Sequence, residues 1–213
     1  MLQGSVKGSP PTKMPTTPVN GQEAFELAKD HDLHQEWESA IYNYRIASTA
    51  GHVEAQYLLG WILAEGWHTD KNEEESVHWL RKSADAGNPS AQCLLGNMLL
   101  KGSGVEKNPE EAFLWYLNAA EQGHPMGQYN TGGMLHEGMG VEQNSEEAVK
   151  WFIRAAEAGI GEAQYKLAVC YEQEDGIHKD LQEAEYWMKQ AADGGCAEAK
   201  EILDWRSSPN RRG

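Results

Sequence analysis

Residues 87–122, GNPSAQCLLGNMLLKGSGVEKNPEEAFLWYLNAAEQ, spell two helices and the turns that bound them. Asn88 stands where a first helix needs a cap, and Pro89 follows in the first turn, where a missing amide proton costs nothing. Ala91, Leu94, Leu95, Met98 and Leu99 recur at i, i+3, i+4, i+7 and i+8, one apolar stripe of an amphipathic helix. Gly102 and Gly104 end it, supplying the positive backbone angles of a tight reversal. Asn108 then caps a second helix, Pro109 takes its first turn, and Glu111 completes an Asn-x-x-Glu capping box. Ala112, Trp115, Tyr116, Ala119 and Ala120 make the second stripe, and Gly123 closes it. Two amphipathic helices joined by a short loop must face each other or an adjacent pair.

This segment is one beat of a period. Gly51, Gly87, Gly123, Gly159 and Gly195 stand 36 residues apart, as do Trp79, Trp115, Trp151 and Trp187, and Asn72, Asn108, Asn144 and Asp180. Capping boxes recur as Asn72 with Glu75, Asn144 with Glu147 and Asp180 with Glu183. Small residues return at Ala55, Ala91, Gly127, Ala163 and Ala199, and at Gly60, Gly96, Gly132 and Ala168, where they let helix backbones approach. The tryptophans, at helical spacing and strict period, read as core. A period of this length marks a solenoid, whose units bury apolar surface only against their neighbours.

The spacing predicts an all-α body over residues 20–206, with hairpins at about 21–50, 51–86, 87–122, 123–158 and 159–194 and a capping helix at 195–205. The first hairpin is degenerate: Ala24 and Ala40 fit the pattern, but Asn43 occupies the tryptophan site. Residues 1–19, rich in Gly, Ser, Thr and Pro, read as a disordered tail, and 207–213 as a flexible one.

The charge is uneven. Residues 1–19 contribute Lys7 and Lys13, the C-terminal end contributes Arg206, Arg211 and Arg212, and neither holds an acid, so the formal net of -15 becomes about -20 for the body between them. Such a surface repels nucleic-acid phosphates and steers cationic partners inward, so the expected partner is a basic protein or peptide, with no nucleic acid. No apolar run approaches a membrane span, so no membrane insertion is expected, and the N-terminus lacks the apolar core of a signal peptide. Cys93, Cys170 and Cys196 form no CxxC pair. With the missing signal, they point to a reducing, cytoplasmic location; a monomer is the favoured state.

Other motifs yield no chemistry. His31 and His34 are three apart, but no second ligand pair accompanies them, and no metal or cofactor is expected. Gly102-Ser103-Gly104 lacks the strand and third glycine of a phosphate loop. No serine or cysteine sits in a nucleophile motif with a positioned histidine, so the chain reads as a non-enzyme.

The Ala-x-x-x-Leu-Gly, Gly-x-Gly-Val and Trp-x-x-x-Ala-Ala signatures, carried by Ala91 to Gly96, Gly102 to Val105 and Trp115 to Ala120 among others, resemble those of Sel1-like repeat proteins, relatives of the tetratricopeptide repeat. The likeness covers about residues 51–205. It implies a right-handed αα-superhelix of four full repeats, acting as an adaptor that holds proteins or peptides on a concave wall of first helices. Matching Leu59-Gly60 to the family's Leu-Gly puts Glu54, Tyr57, Trp61 and Glu65 on that wall. Later repeats contribute Ser90, Cys93, Asn97 and Lys101, then Met126, Tyr129, Gly133 and Glu137, then Glu162, Tyr165, Val169 and Gln173, with His136 beside them. Tyr57, Tyr129 and Tyr165 suit a binding surface but equally a seam between hairpins. Loops Gly66-Trp67-His68 and Glu174-Asp175-Gly176 depart from the Gly-x-Gly pattern, which implies reshaped turns. Two alternatives stay open: an inhibitor or immunity-type protein that neutralises a cationic effector, and a hydrolase like the β-lactamase-associated, disulfide-rich branch, whose cysteine pattern this chain lacks.

Overall fold

The computed structural model describes residues 20–208 and forms, among them, eleven α-helices and no strand. The tail expected at 1–19 and the last five residues lie outside the described part. Helices pair as α1 (Gly21–Leu33) with α2 (Trp37–Thr49), α3 (Val53–Glu65) with α4 (Glu73–Asp85), and α5 (Pro89–Lys101) with α6 (Pro109–Glu121). Then follow α7 (Pro125–Glu137) with α8 (Ser145–Glu157), and α9 (Gly161–Gln173) with α10 (Leu181–Asp193). A single α11 (Ala197–Ser207) packs on α10 and ends two residues beyond the expected cap. The molecule is an all-α superhelical array of hairpins.

The caps explain where each helix begins. Asn72, Asn108 and Asn144 each accept the amide of the residue three further on, and Asp180 accepts two amides. First helices are capped by Asn88 and by the Nδ1 atoms of His52 and His124. The reciprocal half of the expected capping box does not form. Instead the Glu111 carboxylate accepts from the Trp115 indole at 3.2 Å and from the Arg81 guanidinium of the preceding hairpin at 2.5 and 3.3 Å. Glu75 does the same with Trp79 and Arg45. A carboxylate within reach of a guanidinium 30 residues away in the chain gains more from that charge-assisted pair than from one amide. These glutamates therefore tie one repeat to the previous one.

The repeating glycines serve three separate needs. Gly51, Gly87, Gly123, Gly159 and Gly195 adopt φ of +82 to +91°, and a Cβ on any of them would meet nothing within 4 Å. They close each second helix in a Schellman turn, with the next amide bonding back (Asn88 N to Ser83 O, 3.0 Å), so the angle is what selects glycine. Gly60, Gly96 and Gly132 are helical, and a Cβ there would lie 2.7–2.8 Å from Leu80, Tyr116 or Phe152. Space selects glycine at these three. Gly104, Gly140 and Gly176 combine both reasons, since a Cβ would strike the first-turn backbone of the preceding second helix at 2.2–2.4 Å.

The odd loops keep the common backbone. Glu174 takes the left-handed angle (φ 62°) that Gly66, Gly102 and Gly138 take elsewhere, and Gly176 keeps the backbone contact. In the first full repeat His68 (φ 55°) replaces that contact glycine, and its ring stacks on Trp37 at 4.2 Å. The turns are thus not reshaped; only the side chains they present differ. A further repeating device is the buried glutamine: Gln56, Gln92 and Gln164 each donate at 3.1 Å to a carbonyl at the end of the preceding helix (Ser48, Ala84 and Ala156). Apolar clusters run between neighbouring hairpins, with Trp79 and Trp151 buried as expected but Trp115 and Trp187 only half-buried.

Candidate partner-binding groove

Successive first helices α3, α5 and α7 touch one another. They line up side by side as one wall of the array. Two adjoining recesses open on it. One, of about 260 Å³, is bounded by Tyr57, Trp61, Cys93, Leu94, His124 and Met126. The second, of about 210 Å³, is bounded by Tyr129, Gly133, His136, Glu137, Lys166 and the edge of Phe152. Asn97 and Asn130 line both, which makes them one trough across four repeats.

The trough brings together ten of the residues expected on the wall: Tyr57, Trp61, Ser90, Cys93, Asn97, Met126, Tyr129, Gly133, His136 and Glu137. Asn97 is fixed from below, where its Oδ1 accepts the Tyr116 hydroxyl at 2.6 Å, leaving its amide NH₂ free to face a ligand. His136 is held by Asp175 at 2.7 Å. Ser145 and His136 keep that carboxyl below its usual range. Both members of this pair lie at varying positions of the repeat, His136 standing where other hairpins have Ala64, Leu100 or Glu172, and Asp175 where they have Trp67, Ser103 or Met139.

The other expected residues lie outside the two linings. Glu54 sits on the rim, accepting from Asn88 Nδ2 at 2.9 Å, and Glu65, Lys101 and Glu162 are exposed. Tyr165 packs into the seam with the core of Ala168, Met188 and Cys196. Tyr57 and Tyr129 also lean on core clusters, so at those two positions the seam and the groove share one ring.

The column Leu94, Asn130, Lys166 was not expected on this wall, because Leu94 also belongs to the apolar stripe. Its only signal in the sequence is the change from leucine to amide to lysine down the repeats.

The first recess carries no formal charge. Burial pulls the His124 imidazole below its usual value, and burial pushes the Cys93 thiol up to about 12, so neither ionises to bind or attack. Burial, then Glu54, raises Tyr57; burial, then Glu162 and Glu137, raises Tyr129, so both phenols remain hydrogen-bond donors in an acidic field. All three cysteines are free and buried. His31 and His34 turn to separate partners, Glu36 at 2.5 Å and the Asp30 carbonyl at 2.7 Å. Among the described residues, no group of three metal-ligating side chains converges, and no helix is long and apolar enough to cross a membrane.

Helical hairpins stacked at a fixed period, with an aromatic and amide trough on the first helices, define a solenoid repeat protein. The Sel1 repeat model matches residues 53–88, 89–124, 125–160 and 161–196, and the chain belongs to that family. Proteins of this family generally mediate protein–protein interaction and are typically non-enzymatic scaffolds. A Sel1 repeat protein from Oxalobacter formigenes is 33% identical, with 90% of this chain and 78% of that one aligned at a TM-score of 0.82. The protective antigen c5321 of uropathogenic Escherichia coli is 28% identical with a TM-score of 0.81; 87% of this chain is covered, and it spans 40% of that longer protein. The immunity protein Pa5087 of Pseudomonas aeruginosa shares the fold alone, at 19% identity and a TM-score of 0.55, over 92% of this chain and 78% of that one. None of the curated proteins compared with the chain matches it.

Proposed function

We propose that this protein is a scaffold that holds a segment of another protein along the first-helix trough, and that the segment is basic. The observation that carries this reading is the pair of recesses sharing Asn97 and Asn130, which ranges Tyr57, Trp61 and Tyr129 along one continuous surface. Rigid aromatic rings with polar tips lose little entropy on binding and dominate interface energies, while amides supply hydrogen bonds to an extended backbone. Arg206 pairs with Glu172 and so belongs to the folded body; the described residues still carry about -19, which draws in cationic segments. Three reduced, buried thiols suit a cytoplasmic setting.

The test is capture of partner protein by the purified chain and by its Trp61→Ala and Tyr129→Ala variants, with helical content checked by circular dichroism. Loss of an anchor ring is expected to weaken capture roughly tenfold or more, the size of a typical hot spot. Undiminished capture by both folded variants would place the binding surface elsewhere.

A further inference from the structure

The first full repeat departs from the later ones at three positions, and the hairpin before it at a fourth. Trp61 stands where the later repeats have Asn97, Gly133 and Val169; Trp67 where they have Ser103, Met139 and Asp175; His68 where they have glycine; and Trp37 where they have Glu73, Pro109 and Ser145. In the fold these four meet. Trp67 lies 5.9 Å from Trp61, 6.4 Å edge-on from Trp37 and 4.9 Å edge-on from His68, and His68 stacks on Trp37. Core packing does not account for the cluster, because Trp67 is 48% exposed and Trp37 and Trp61 are half-buried. Trp61 also lines the first recess, so the cluster continues the trough beyond its N-terminal end, over the 66–70 loop. Beside His68 a further shallow recess of about 680 Å³ opens, lined by Glu38, Asp70 and Arg45, with Tyr42 exposed within it.

The chain shows elsewhere what it does with such rings. Lys82 sits 4.8 Å over Trp79, and Arg154 sits 4.5 Å over Trp151. At Trp61 and Trp67 no lysine or arginine of the described chain takes that place: Arg45 is drawn to Glu75 and Lys71 to Glu73. An exposed indole on a body of net negative charge attracts a cation through the negative ring face, and a planar guanidinium stacks better than an ammonium.

We infer that the Trp37–Trp61–Trp67–His68 cluster is an arginine-reading platform, on which a guanidinium of the partner stacks against the exposed Trp67 indole as the segment leaves the trough. This extends the groove reading to a surface outside the groove and depends on it only through Trp61. The probe is a set of fluorescein-labelled dodecapeptides of alternating Gly and Ser carrying three evenly spaced Arg, Lys or citrulline residues, titrated by fluorescence anisotropy at low salt. Binding is followed in parallel by the indole N–H signals of the ¹⁵N-labelled protein.

The Arg peptide is expected to bind, the Lys peptide several-fold more weakly, and the citrulline peptide not measurably, with the Trp67 and Trp61 indole signals moving in the first titration. Trp67→Ala, at a half-exposed ring, is expected to weaken the Arg peptide by roughly five- to thirtyfold, and Trp67→Phe to restore part of it. Equal affinity of Arg and Lys peptides, or Arg binding undiminished in folded Trp67→Ala, would overturn the platform. If Trp67→Ala has no effect while Tyr129→Ala weakens binding, the trough reading stands without the platform. The reverse pattern keeps the platform and removes the trough.

Discussion

Adjacent glycines on α7 offer a differential test of the packing. A Cβ at Gly132 would lie 2.8 Å from two ring carbons of Phe152 and 3.1 Å from the Ala148 carbonyl, all in the buried seam between α7 and α8. At Gly133 a Cβ would meet nothing within 4 Å. Replacing either with alanine brings the same gain in helix propensity, about 1 kcal/mol. The difference between the two variants therefore isolates the cost of forcing a methyl into the seam, about 1–3 kcal/mol. Gly133→Ala should be stabilised by up to about 1 kcal/mol, and Gly132→Ala should be neutral to destabilised by about 2 kcal/mol. Thermal unfolding followed by far-ultraviolet circular dichroism reads this as midpoints on either side of the parent, at roughly 2–4 °C per kcal/mol for a body of this size. Equal midpoints for the two variants would mean that α7 and α8 are not packed at Gly132 as described, and the same doubt would then extend to Gly60 and Gly96.

Three further outcomes follow from the same geometry. Gly140→Ala, whose Cβ would lie 2.4 Å from the Pro109 backbone at φ +66°, should destabilise far more than Gly123→Ala, where only the angle (φ +82°) resists, at a cost of about 1–2 kcal/mol; urea titrations of both variants would show it. Burial lowers the His124 pKa from 6.5, so the folded chain resists charging: its stability is whole above the unfolded value and declines as pH falls through it. His124→Asn keeps a capping acceptor without titrating, and its stability measured across roughly pH 7 to 5 should decline less than the parent's. Arg81 holds the Glu111 carboxyl below 4.5, so that pair stabilises above the ordinary glutamate range and is lost on acidification. Arg81→Met should therefore cost at most about 1 kcal/mol at neutral pH, for a pair this exposed, and progressively less as pH falls below the ordinary glutamate range; a cost that persists undiminished in acid would assign the effect to packing.

The array was legible because its determinants are local. Gly87, Asn88, Asn108 and the Ala91-to-Leu99 stripe each act within one or two turns of chain, and the 36-residue period repeats the message. Contacts between repeats were not, since they join residues about 30 apart whose identities do not both recur. Arg45 meets Glu75 and Arg81 meets Glu111, but the next two members of the arginine column are Leu117 and Ile153. Along the chain itself, the cap is the only partner visible for these glutamates.

The wall was half legible. Tyr57, Trp61, Asn97 and Tyr129 stood out as varying positions on a constant frame, but Lys166 and Asn130 share a column with Leu94 and were hidden by its apolar role. The union of His136 with Asp175, at varying positions 39 residues apart, required the fold.

The central claim is that recognition lies on the first helices. The most direct measurement places a photo-crosslinking phenylalanine analogue, one position at a time, at Tyr57, Asn97 and Tyr129 in the trough and at Leu114, which is 57% exposed on the second helix α6. After irradiation with the co-purified partner, the account predicts crosslinks from the three trough positions and none from Leu114. Crosslinks from Leu114 with none from the trough would contradict it.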